Sequence, residues 1–254
     1  MSSNPVVEPG LPVVEPAETA VVEPGLPVVE PVETFTSLPG AVGNPPEHYG
    51  NPLGEQKALA AGNAVVYHGH RGVITVTGPD RLTWLDSLTS QALAGLQPGE
   101  SAETLQLDPT GRVEYAIRIV DDGSTCWLLV DASEAGPLKA WLDKMRFMLR
   151  VEIADRSADF VTIGSLGYPM EDAVVTWTDP WASVVSGGHQ YAARDSYDWN
   201  YTESLFTTEP SYPAAGTLAL EALRIAAAQE LIVPPSAGAE ANVPRLPRLG
   251  AVKR

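Results

Sequence analysis

From about residue 64 onward, short runs of β-branched and aromatic residues are punctuated by turn residues, and this pattern predicts most of the elements. Ala64–Tyr67 and Val73–Thr77 read as strands. Gly78-Pro79-Asp80 then starts a helix, with proline in the first turn and an acid at the positive end of the dipole. Leu82, Leu85 and Leu88 continue it at helical spacing, with Trp84 beside Leu88. Thr104–Leu107 is a short strand. Asp108-Pro109-Thr110-Gly111 has the residue order of a type I turn. Val113–Val120 and Thr125–Val130 flank Asp121-Asp122-Gly123, a hairpin signal. Ser133 reads as an N-cap, and Leu138, Trp141, Leu142, Met145, Met148 and Leu149 form the apolar stripe of the helix it starts.

Val151–Ala154 and Phe160–Ile163 read as strands again. The order β–α–β–β–β–α–β–β predicts an α+β domain with ferredoxin-like subdomains. Residues 165–212 are aromatic, polar and weakly periodic. Thr217 reads as the cap of a last helix carrying Leu218, Leu220, Leu223 and Ile225. After Ala228, prolines break the periodicity and the tail reads as coil.

The N-terminus has a different texture. VVEPGLPVVEPAETA (Val6–Ala20) is followed at once by VVEPGLPVVEPVETF (Val21–Phe35). Proline at this density denies helix hydrogen bonds, and the repeat offers little apolar area to offset chain entropy. The expected division is therefore a disordered Pro/Glu-rich arm over 1–60, a globular domain over 61–228 and a Pro-rich coil over 229–254. The arm reads as a spacer rather than as a docking ligand.

Charge and composition narrow the function classes. The net charge is −16 over 254 residues, which argues against a nucleic-acid backbone or an anionic membrane surface as the main partner. Residues 1–56 hold eight acidic residues and no lysine or arginine. Cys126 is the single cysteine, so neither an intrachain disulfide nor a cysteine-ligated iron–sulfur cluster can form. No apolar run is long enough to span a bilayer, and no secretory signal leads the chain. The expected location is cytoplasmic, where the Asn200-Tyr201-Thr202 sequon would go unused.

Four blocks carry a family resemblance: VTGPDRLTWLDSLTSQ (Val76–Gln91), LDPTGRVEYAIRIV (Leu107–Val120), KAWLDKMRFMLRVEIAD (Lys139–Asp155) and GTLALEALRIAAA (Gly216–Ala228). In order and spacing, the region from about Ala64 to Ala227 resembles the folate-binding region of the YgfZ / glycine-cleavage T-protein superfamily. The resemblance implies ferredoxin-like subdomains around a channel for tetrahydrofolate or a related folate. It also implies a role in folate-dependent iron–sulfur cluster assembly or repair, with iron–sulfur enzymes or their assembly machinery as partners.

Two departures shape the expectation. T-proteins carry a catalytic aspartate a few residues past the glycine-rich turn, and the matching positions here are Tyr115 and Ala116. No catalytic residue is assigned, and aminomethyl transfer is the alternative rather than the expectation. The YgfZ signature, of the form KGCYxGQE, and the family's C-terminal barrel are absent. The sequence thus reads as C-terminally truncated, with an inactive fragment as a further alternative. A sheet edge and an apolar helix face are expected to lie open.

Candidate cofactor contacts are His70, Arg112, Tyr115, Trp127 and Arg224. His70 matches a family histidine ahead of the GPDR block. Arg224 matches a folate-contacting arginine, and its planar fork suits a pterin or a glutamate tail; its plain alternative is an ion pair with Glu221. Tyr115 and Trp127, on neighbouring strands, could stack on a pterin or simply pack in the core. Arg112 sits at the turn. His68 and His70 would share a side on one strand, as metal ligands do, but no third ligand has suitable spacing, so no metal site is assigned. Cys126 reads as a buried small hydrophobe.

Overall fold

The computed structural model describes residues 34–168, 170–181 and 199–227. Two five-stranded sheets and four helices make a mixed α/β fold. The chain enters through turns 34–50 and helix α1, Pro52–Ala60. Asn51 caps α1 by accepting from the Gly54 amide at 3.1 Å, and Pro52 occupies the first turn. Phe35 is buried and stacks on Tyr67 with ring centroids 5.6 Å apart. The expectation of a disordered arm is corrected for residues 34–60, because Phe35, the one aromatic residue of the repeat, and Leu59 beyond it are buried against the first sheet and its neighbours. Residues 1–33 and the tail beyond 227 lie outside the described residues.

Strand β1, Val65–Tyr67, belongs to the first sheet. The chain then leaves it for the second sheet. There β2 (Arg71–Thr77), α2 (Arg81–Leu88), β3 (Ser101–Leu107), β4 (Val113–Asp121), β5 (Thr125–Asp131), α3 (Ala132–Met145) and β6 (Glu152–Asp155) follow in turn. The sheet order β3-β4-β5-β2-β6 is antiparallel throughout. With β3 set aside as an extra edge strand, this is a split β-α-β arrangement of the ferredoxin-like kind. Ile74, Val76, Ile117, Ile119, Leu128 and Val130 meet Trp84, Leu85, Leu138 and Leu142 of the two helices in one apolar cluster. Each such side chain, fully buried, contributes roughly 1.5–3 kcal/mol.

The chain returns to the first sheet with β7 (Val161–Leu166), β8 (Val175–Thr178), β9 (Tyr201–Phe206) and β10 (Ala214–Ala215), and ends its described course in α4, Thr217–Ala226. The order is β10-β1-β7-β9-β8. The weakly periodic stretch 165–212 therefore contains two strands that the pattern did not show.

Helix boundaries differ from expectation in three places. Asp131, not Ser133, caps α3 by accepting from the Ser133 amide at 3.0 Å. The helix stops at Met145, which leaves Met148 and Leu149 off its apolar stripe. Thr217 does not cap α4. The Thr217 and Leu218 amides donate instead to the Pro46 and Glu47 carbonyls, at 3.0 and 3.1 Å. Leu218 and Ile225, seven residues apart on this helix, are exposed.

Candidate functional site

Residues 68–70 carry the chain from β1 in one sheet to β2 in the other, and a buried polar cluster forms at this crossing. On β9, side chains alternate between faces, so Tyr201, Glu203 and Leu205 share one face. Glu203 lies opposite Trp177 of β8 and Gly164 of β7. From the second sheet, Arg71 of β2 and Arg118 of β4 reach the Glu203 carboxylate.

Glu203 is fully buried, and its hydrogen bonding is one-sided. Oε1 accepts from Arg71 Nη2 at 2.8 Å and Nε at 3.3 Å, from Tyr201 Oη at 2.8 Å, and from Arg118 Nη1. Oε2 is buried and has no partner. Burial alone would raise this carboxyl, but Arg118 and Arg71 override it and hold it well below the usual range. It is therefore ionised, with a vacant acceptor.

His68 completes the core of the cluster. Its Nε2 lies 2.7 Å from Tyr201 Oη. The single Tyr201 proton goes to Glu203, so His68 must donate through Nε2, which leaves Nδ1 as a bare acceptor. That Nδ1 is buried without a partner, as is the Nδ1 of His70. The two imidazoles meet edge to face with centroids 5.2 Å apart. Burial pushes the His68 value down to about 3, and neighbouring Arg71 and Arg118 outweigh part of the pull from Glu203. His70 is shifted down as well, chiefly by burial. Both are neutral at physiological pH.

Gly164 makes room for this arrangement. A Cβ there would stand 2.5 Å from His68 Nε2 and 2.8 Å from Tyr201 Oη. Aromatic groups close the other side. The Arg118 guanidinium lies 4.7 Å from the centre of the Trp177 ring. Trp177 donates to the Ala102 carbonyl at 2.9 Å, and Trp181 donates to Glu103 Oε2 at 2.7 Å. Burial raises the Glu103 carboxyl despite Arg118 opposite it on β4. The cluster thus offers a fixed anion with one unpartnered oxygen, two unpartnered imidazole nitrogens, of which that of His68 is an acceptor, and a tryptophan-rich wall. Among the described residues, no group of three His, Cys, Asp or Glu side chains is placed to hold a metal.

Of the five residues singled out from the sequence, His70 adjoins this cluster. Trp127 is buried in the same apolar cluster as Trp177 and Tyr201, but its own polar contact is with Asp122 Oδ2, to which it donates at 2.8 Å, and it packs edge to face on Phe160. Tyr115 packs half-buried against the α2–α3 core. Arg112 is exposed at the β3–β4 turn. Arg224 forms a two-point ion pair with Glu221, at 2.5 and 2.8 Å. The pattern did not reveal Glu203, Tyr201, Arg71 or Arg118. The signal available was the alternation Tyr201, Glu203, Leu205, which places a charge on the buried face.

No family model and no curated protein matches the chain. Among solved structures, it is similar to the glycine cleavage system aminomethyltransferase T from Bartonella henselae, at 15% identity and a TM-score of 0.47. That match covers 63% of this chain and 46% of the other, so the chain spans less than half the length of that protein. Among the described residues, no helix is long and apolar enough to cross a membrane.

Proposed function

We propose that this protein binds a folate, tetrahydrofolate or a related form, at the buried cluster around Glu203. In this reading it acts as a binding protein of the YgfZ type, serving folate-dependent iron–sulfur cluster assembly or repair together with iron–sulfur enzymes or their assembly machinery. The supporting observation is the unpartnered Oε2 of Glu203, an oxygen of an ionised and fully buried carboxylate, in a cluster that also holds the unpartnered Nδ1 atoms of His68 and His70. Buried acceptors without donors cost free energy until a ligand supplies N–H groups. The aminopyrimidinone edge of a pterin carries such donors side by side. His70 belongs to this proposal; Arg112, Tyr115, Trp127 and Arg224 carry no part of it.

Ala116 favours binding over aminomethyl transfer. It lies half-buried on β4 opposite Leu105 and has no group to polarise a reacting centre. The test is titration calorimetry with tetrahydrofolate, followed in parallel by tryptophan emission, since Trp177 and Trp181 line the cluster. Binding is expected for the natural protein. Glu203→Gln, with native near-ultraviolet circular dichroism, should weaken it by about 10- to 100-fold, the worth of one charge-assisted hydrogen bond. Absence of heat and of emission change with the natural protein would refute the proposal.

A further inference from the structure

The segment after α3 presents apolar side chains to solvent where a helix stripe was expected. Phe147 is 80% exposed, Met148 98% and Leu149 42%. The backbone holds them there, because Phe147 adopts φ 47°, a left-handed conformation rare for an aromatic residue, and the Leu149 amide closes a turn on the Arg146 carbonyl at 3.1 Å. Below the tip the turn is anchored. Arg150 grips Asp80 through its amide and its guanidinium, at 2.8 to 3.1 Å. Gly78, at φ 108°, lets the Arg150 carbonyl approach so closely that a Cβ would lie 2.1 Å from it. A cavity of about 390 Å³ opens at this base, lined by residues 77–79 and 149–152.

Charge distinguishes this tip from the rest of the molecule. Lys144 and Arg146 flank it, both exposed, and neither forms an ion pair among the described residues. The chain as a whole carries −16. Aromatic residues, methionine and arginine are the types enriched at the centres of protein interfaces. An anchored turn also loses little freedom when it docks. We propose that residues 144–150 form a docking surface for an acidic segment of another protein, one that sets apolar side chains against Phe147 and Met148 and carboxylates against Lys144 and Arg146. An anionic bilayer fits less well, because the acidic remainder of the protein is repelled from it. A second copy of the chain would bring the same two unpaired cations together at a twofold axis.

The experiment uses the full chain and a fluorescein-labelled amphipathic peptide with leucine at helical spacing and glutamate elsewhere. Fluorescence anisotropy should show binding that disappears with a peptide in which lysine replaces glutamate. Phe147→Ser should weaken binding by about thirtyfold, as truncation of an interface hot spot does. Arg146→Glu should slow association and flatten its salt dependence. Both sites are exposed, so melting temperatures should not change, and Phe147→Gly provides a second variant suited to the left-handed backbone. Binding by Phe147→Ser and Phe147→Gly as tight as that of the natural chain, or no binding by the natural chain, overturns the proposal. So does tighter binding of the natural chain to phosphatidylserine vesicles than to the acidic peptide. Concentration-dependent dimers in sedimentation that Phe147→Ser abolishes would also overturn it, in favour of self-association.

Discussion

Replacing His68 with glutamine removes a buried imidazole while keeping an N–H that can donate to Tyr201, and this should change how the fold responds to acid. An unfolded histidine titrates near 6.5, whereas His68 in the fold is lowered to about 3. Between those values the unfolded chain binds a proton that the native protein does not. The stability tied to this group is therefore fully present above pH 6.5 and is lost as pH falls toward the folded value. The loss approaches about 1.4 kcal/mol per pH unit, or roughly 2.5 kcal/mol between pH 7 and pH 4.5. That is a sizeable part of a typical margin of about 5–15 kcal/mol. Glu203, lowered in the fold, contributes stability that begins to be lost only as pH nears its unfolded value, at the lower edge of this window, and it is present in both chains. Glu103, raised in the fold, acts in the opposite sense, and His70 in the same sense as His68. Both are present in each chain, so the comparison cancels them to first order. Urea unfolding at pH 7 and pH 4.5 measures the effect. The natural protein should lose roughly 1 M more in midpoint than His68→Gln over this interval, for a slope of about 2 kcal/mol/M. Equal losses in the two chains would show that His68 is not held neutral by burial, and the reasoning would fail.

Glu55 accepts from the Tyr49 and Asn51 amides and, through its other oxygen, from the Gly216 amide, joining the entry turns to the start of α4. Glu55→Ala should cost about 3 kcal/mol by chemical unfolding, because buried donors lose their partner; a chain beginning at residue 61 should melt lower than one beginning at residue 34 for the same reason. Gly164→Ala should destabilise by about 1–3 kcal/mol in thermal unfolding, since the new methyl displaces His68 or Tyr201, and an unchanged melting temperature would show that the pair has room to yield.

Legibility followed burial pattern. The second sheet was readable because its strands send β-branched residues into one helix-covered core, as Ile74, Val76, Ile117, Ile119 and Leu128 do. Helix α1 was hidden because it is short, opens on a proline and buries little beyond Glu55 and Leu59. Strand β9 was hidden because its buried face carries Glu203, and Glu203 is tolerable there only because Arg71 and Arg118 arrive from the other sheet. Local pattern reports local apolar faces; it cannot report a counter-charge supplied from far along the chain. The same limit explains why His70 could be singled out by matching a motif while its neighbours Tyr201 and Glu203 could not.

The route of the chain between the sheets has a temporal side. Strand β1 is made early, yet Val65 finds its partner Ser165 only after the whole second sheet has been threaded between them. The inserted ferredoxin-like unit is contiguous in sequence and has its own core, so it is free to condense first, whereas the first sheet must wait for distant partners. In the finished fold Arg71 and Arg118 are two guanidinium groups facing one site from the second sheet, and Glu203 is the carboxylate that both reach. Among the described strands, β9, which delivers Glu203, comes ninth of ten in chain order. An arrangement with β9 undocked would leave those two like charges facing one another without Glu203, so the pairing works as a latch whose electrostatic gain comes only with the completed first sheet.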